Sequence, residues 1–341
     1  MTYRKGKSAM IEQRARERWF RKSFTVASLA IVLAMARGAA AQDSSYPTQS
    51  IRILVGESPG GATDIIARIV AKNLTQELGQ SVIVENRTGA AGSIASTVVA
   101  NSHPDGYTLA VVSSSFAINP NFMKLSYNPK VDLVPISLLV RAPFLLVSSP
   151  TLKLSNVHDL LALAAEKHGT LTYASGGTYS SDHLAGVLFS SLSKQPMTHV
   201  PYRGAGPALV DVMAGHVAFQ FASVLSATPL VAQGQLKALA VSSRTRLPDR
   251  PTLPTVAESG VPGYEALTWY GLVAPKGTPP DIVSKLSVAA NKAVNEASVS
   301  KRLLGEGAEP VGSSGPEFGS FIAAQLVKFN SLVAIARQAQ N

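Results

Sequence analysis

The sequence predicts an α/β protein of two lobes, each a mostly parallel sheet flanked by helices, joined by a hinge. Three observations carry that expectation. Short β-rich runs alternate with helical periodicity, the alternation breaks and restarts near residue 144, and loops of Gly, Ser and Thr stand where strands give way to helices. Strand–helix–strand spacing of this kind builds a parallel sheet covered on both faces. With 341 residues, 46% of them hydrophobic, the chain is long and apolar enough to fill two cores.

The first elements read as a leader. Residues 1–23 are basic, Phe24 to Ala36 is apolar, and Ala39-Ala40-Ala41 ends the segment in small residues. This order describes a secretory signal peptide over 1–41, cleaved after Ala41. The apolar run is too short to span a bilayer, which takes roughly 20 residues. Residues 1–41 hold nine Lys/Arg and two Asp/Glu, so 22 of the 31 basic and 19 of the 21 acidic residues remain, a net +3. The high pI of 9.8 therefore belongs mostly to the leader. No basic stripe follows it, which argues against a nucleic-acid partner. The chain has no Cys, so it offers no disulfide, thiol nucleophile or Cys-ligated metal.

After the leader, Ile51 to Val55 reads as a strand. Thr63 to Leu78 reads as a helix, with Ile65, Ile66, Ile69, Val70 and Leu74 on one side and Gly79 as its stop. Ser81–Glu85 and Tyr107–Ser113 read as strands around a helix over Ser93–Asn101. The pattern restarts with a strand at Phe144–Val147 and a helix at Val157–Glu166. Further strands are predicted at 171–174, 198–201, 218–221 and 236–241, with helices over 181–191, 207–214 and 225–233. Residues 242–263 read as loop. A strand at 268–274 and helices over 280–295 and 316–337 close the chain. The expected lobes are 46–143 with 266–341, and 144–265 between them.

Candidate site residues sit where strands end. Ser58, Gly60, Gly61, Ala62, Thr63 and Asp64 lie between the first strand and the first helix. A helix N-terminus presents unpaired N–H groups and the positive end of a dipole, and glycines let a ligand approach the backbone. An ordinary turn capped by Thr63 or Asp64 fits the same residues. Ser113, Ser114 and Ser115 follow the third strand. Ser175, Gly177, Thr178, Tyr179, Ser180, Ser181 and His183 repeat the strand–loop–helix theme in the second set. Arg203 ends another strand and can pair with a carboxylate through two N–H groups, or stand as a surface arginine. Gly89-Ala90-Ala91-Gly92 can offer amides before the second helix, and fits a plain turn better. Ser181, Asp182 and His183 are neighbours on a helix and cannot form a catalytic relay. No nucleophile elbow, phosphate loop, dinucleotide fingerprint or zinc motif appears, and no cofactor is expected.

Nine segments in order carry a further signal, among them Pro59–Asp64, Glu85–Gly92, Pro104–Leu109, Ala117–Pro120, Val200–Gly204 and Leu253–Gly260. Together they make the chain resemble the Bug-type receptors of the tripartite tricarboxylate transporter family. The resemblance implies a type II-like, two-lobed periplasmic binding protein fold and a receptor rather than an enzyme. It implies a monomer that captures a small organic carboxylate and delivers it to membrane transporter subunits. A sensor for a signalling kinase, or an enzyme on a similar fold, is the alternative. By resemblance the site comprises Ser58–Asp64, Ser113–Phe116 and Ser175–His183. The chain departs from the family at Glu57-Ser58-Pro59, often Phe-Pro-Pro, at Ser115-Phe116, often Thr-His, and at Ala222-Ser223, often Asp-Asn. The missing acid at 222 predicts a non-amino carboxylate, with Phe116, Tyr179, Ala222 and Ser223 selecting it. The competing expectation is that Asp64 or Asp182 reaches the cleft and supplies the partner for an ammonium.

Overall fold

A computed structural model describes residues 46–338, and the leader at 1–41 with its cleavage point lies outside them. The strands are β1 (Ile51–Val55), β2 (Val82–Asn86), β3 (Thr108–Ser113), β4 (Leu133–Ser148), β5 (Thr172–Ser175), β6 (Thr198–Pro201), β7 (Phe219–Ser223), β8 (Lys237–Val241), β9 (Leu267–Pro275) and β10 (Glu309–Pro310). The helices of the first part are α1 (Ala62–Leu78), α2 (Ser93–Ala100) and α3 (Ser115–Ile118). The middle contributes α4 (Val157–Lys167), α5 (Ser181–Ser193), α6 (Ala205–Ala214) and α7 (Val224–Ala232). The C-terminal part adds α8 (Pro280–Asn295), α9 (Ala297–Gly305) and α10 (Gly315–Gln338).

The expected alternation is present. β2, β1 and β3 are parallel neighbours, and so are β7, β5 and β6. The parallel character stops at the crossing between the two sets. There β9 runs antiparallel to β3 and β4, and β4 runs antiparallel to β7 and β8. The sheets are therefore mixed. A strand that leaves one set to enter the other, and a strand that comes back, must run in opposite directions.

β4 is the connecting element. It extends over 16 residues, where the sequence predicts only Phe144–Val147. Pro135, Arg141 and Pro143 interrupt the apolar run that would reveal its first half. The ladder to β9 shifts register between Pro135 and Ser137 and again between Leu138 and Val140. A proline lacks the N–H a central strand needs, and irregular pairing is where a sheet tolerates one. Leu133–Pro143 pairs with β9, and Phe144–Ser148 pairs with β7. The chain then returns through β9, so α8 packs on α1, and α10 packs on β4, α3 and α5.

Two apolar clusters follow from this path. One gathers Leu54, Val99, Val112, Phe116, Leu138, Trp269, Val273, Phe318 and Ile322. The other gathers Phe144, Leu146, Val157, Leu160, Phe189, Phe219, Phe221 and Tyr264. β4 contributes to both. No helix among the described residues is long and apolar enough to cross a membrane.

Candidate functional site

The carboxyl ends of β1, β3, β5, β6 and β7 all open on one cavity of about 460 Å³. Loops leave the strands there and helices begin, the usual ligand position in an open α/β sheet.

The first loop differs from its expected use. Ala62 and Thr63 line the cavity, while Ser58, Gly60, Gly61 and Asp64 do not. Gly60 N–H donates to Asp64 Oδ2 at 3.1 Å. Asp64 also accepts from Arg68 at 2.8 and 2.9 Å and from Asn86 Nδ2 at 2.9 Å. Burial works to raise its pKa, but those donors outweigh it and hold the carboxyl below its ordinary range. Asp64 thus ties α1 to β2 and is spent on structure. Ser58 packs against Gly204, in the loop after β6, where no Cβ would fit.

The helix N-terminus is already occupied by an anion of the chain itself. Glu57 Oε2 accepts the Thr63 N–H at 3.1 Å and lies against Gly61, 2.6 Å from where a Cβ would stand. Glu57 lines the cavity, half-buried as a residue but with its carboxyl enclosed by protein. Burial pushes its pKa up to about 7, against the pull of the Thr63 N–H, and the Asp182 and Asp64 charges raise it further. The charged residue just after β1 is the trace of this arrangement in the sequence.

On the next strand, Ser113, Ser115 and Phe116 line the cavity. Ser114 points behind it and shares a hydrogen bond with Thr268 Oγ1 at 2.8 Å. Asn119 also lines the cavity, fully buried, with Nδ2 donating to Ala91 O at 3.1 Å and Oδ1 without a partner. Gly89 to Gly92, expected to be a plain turn, form part of the wall. All four have positive φ, including Ala90 at 46° and Ala91 at 48°. Non-glycine residues held in that region store strain, which structures keep where a site demands it. Gly56 approaches Gly92 so closely that no Cβ would fit at Gly56.

The loop into α5 is the fullest match to expectation. Gly177, Thr178, Tyr179, Ser180 and Ser181 line the cavity. Ser180 caps the helix, accepting the His183 N–H and donating to Gly177 O at 2.6 Å. Tyr179 stacks on Phe122 with ring centroids 4.0 Å apart. Ser175 and His183 sit behind the loop instead. Ser175 Oγ is 2.6 Å from His199 Nε2, and His183 Nδ1 accepts the Tyr179 N–H at 3.1 Å. Burial depresses both imidazoles, His183 to about 3 with His199 adding, and His199 to about 4, so neither brings positive charge.

Asp182 lines the cavity beside them. Its Oδ2 accepts from Gly176 N–H at 2.7 Å and Gln220 Nε2 at 3.2 Å, and its Oδ1 from His183 N–H at 3.1 Å. Burial raises its pKa. Arg203 lines the cavity as an exposed residue. Ser223 lines it and accepts from Tyr270 Oη at 3.2 Å. Ala222 is buried in β7 and absent from the wall. The acids that line the cavity are Glu57 and Asp182. Among the described residues, no group of three or more His, Cys, Asp or Glu is arranged to hold a metal ion.

The receptor model of the tripartite tricarboxylate transporter family matches residues 66–337. Protein BugT of Bordetella pertussis is 36% identical over 292 residues, covering 85% of this chain and 90% of BugT. Among solved structures, the R. palustris protein Rpa4515 with adipate has a TM-score of 0.83 at 32% identity, over 85% of this chain and 98% of that one. MatC from Rhodopseudomonas palustris with bound malate has a TM-score of 0.78 at 31% identity, over 84% and 100%. The two-lobed fold is common to them, and over most of its length this chain belongs to the tripartite tricarboxylate transporter receptor family.

Proposed function

We propose that the protein is a periplasmic, monomeric receptor that captures a small organic carboxylate in this cavity and passes it to a tripartite tricarboxylate-type membrane transporter. The observation that carries the reading is the wall formed by the start of α5. There the hydroxyls of Thr178 and Ser181, the positive end of a helix of 13 residues and Arg203 meet in one cavity. Hydroxyl and N–H donors at a helix N-terminus hold a carboxylate without a buried cation. The relatives holding adipate and malate support the same ligand class.

The lobes of this reading are 46–143 with 266–341, and 144–265. A ligand touching both gains contacts in the closed arrangement that the open one lacks, and so favours closure. No cofactor has a role in this mechanism.

Native mass spectrometry of protein prepared from its own periplasm tests the reading. A cleaved N-terminus near Ala41 and a co-purified organic acid are expected. Retention of Phe24–Ala36 in membranes would overturn the location. A co-purified neutral or purely cationic solute would overturn the ligand class.

A further inference from the structure

We propose that this receptor selects an acid that also carries a positively charged amino group, and that Glu57 and Asp182 hold that group from the two different lobes. The inference rests on the carboxylate reading and names the other end of the ligand.

The cavity wall carries both donors and acceptors. Donors lie at the start of α5 and at Arg203, and they serve a carboxylate. The acceptors are the carboxyls of Glu57, after β1, and of Asp182, in the first turn of α5.

Glu57 and Asp182 are arranged to accept. The Thr63 N–H donates to Glu57, and the N–H groups of Gly176, His183 and Gln220 donate to Asp182, with the Thr63 and Ser180 side chains beside them. Those bonds suit carboxylates. Yet no buried base balances them. Arg203 is the sole Lys, Arg or His on the wall, and it is exposed. His183 and His199 are held neutral by burial. A simple carboxylate entering here adds a third negative charge to two enclosed ones, the arrangement buried charges tolerate least. A zwitterion brings its own counter-charge. The raised pKa values of Glu57 and Asp182 are what burial without that counter-charge produces.

Isothermal titration of the whole receptor at pH 7.5 with matched probes tests this. The pairs are succinate and aspartate, glutarate and glutamate, butyrate and 4-aminobutyrate, and benzoate and 4-(aminomethyl)benzoate. In any pair that binds, the amino member is expected to bind at least about tenfold tighter, and Glu57→Gln to erase most of that preference. A des-amino member binding as tightly as its partner would overturn the inference and leave the carboxylate reading standing. A preference untouched in folded Glu57→Gln would overturn the role of Glu57. Around Glu57 the titratable neighbours are Asp182, Asp64 and Tyr270. If des-amino acids bind and tighten as pH falls from 8 to 6, Glu57 is instead a proton donor to the ligand, and the inference fails. If no member of any pair gives heat, the carboxylate reading fails with it. The wild-type comparison decides the matter even if the variant does not fold.

Discussion

The backbone N–H of Ser181 donates to Ser115 Oγ at 3.3 Å, tying the first turn of α5 to the short helix α3 that follows β3. The two residues come from different halves of the cavity wall. With the Phe122–Tyr179 stack, the bond holds those halves together across the opening. Removing the hydroxyl in Ser115→Ala takes away one net hydrogen bond, about 1 kcal/mol. The expected result is a larger radius by small-angle scattering of the unliganded protein and roughly fivefold weaker ligand binding. An unchanged radius together with unchanged affinity would mean that this bond has no part in closure.

Gly61→Ala should act through Glu57. The new Cβ would stand 2.6 Å from Glu57 Oε2, and the flexible carboxyl can move where backbone could not. The fold should survive while the Thr63 N–H loses its partner. Calorimetry should show ligand binding weakened by more than about tenfold, or roughly 1.4 kcal/mol. Full affinity in the folded variant would separate the Glu57 position from recognition.

Glu57 also gives stability a pH dependence. Its pKa is about 7 in the folded protein against 4.5 for an ordinary glutamate, so the folded form binds the extra proton between those values. Stability from this group is present below pH 4.5 and is lost as pH rises through 7. Glu57→Gln removes the loss, and should therefore be more stable than wild type at pH 8 by on the order of 2–3 kcal/mol. Near pH 4 the two should be alike. Urea midpoints at both values check this, and a variant destabilised at pH 8 would contradict it.

The buried histidines act in the opposite sense. With pKa values of about 3 for His183 and about 4 for His199, both lie below the ordinary imidazole value. They contribute stability above pH 6.5 that disappears as pH falls toward those values. His199→Gln should flatten the acid limb of a stability–pH curve by up to about 1.4 kcal/mol per pH unit, the effect of one proton. The Gln amide can keep a hydrogen bond to Ser175. An unaltered acid limb would show that His199 is not held neutral.

Periodicity alone makes most of the fold legible. β1, β6 and α8 fall on the predicted residues, and the ends of the other predicted elements except β4 move by at most two. β4 is the failure, because Pro135, Arg141 and Pro143 hide its first half. The short α3 and the separate α9 also escape, being brief pieces set by their neighbours. In the cavity wall, the Ser/Thr loop before α5 is readable because strand, loop and helix follow one another locally. Ser58, Asp64 and Ser114 stand beside lining residues in sequence, yet long-range partners, Gly204, Asn86 and Thr268, turn them elsewhere. Glu57 and Asn119 escape as cavity groups for the converse reason, while Asp182 is legible as a residue at the start of a helix that opens on the cleft.

β4 has one more consequence. A single strand threads both apolar clusters, Leu138 packing in one and Phe144 and Leu146 in the other. Melting either core would strip partners from the strand that the other core needs. Although the molecule has two separate interiors, heat should therefore dissolve them in one cooperative transition, with calorimetric and van't Hoff enthalpies in agreement. The strand shared by the two interiors thus denies them independent unfolding.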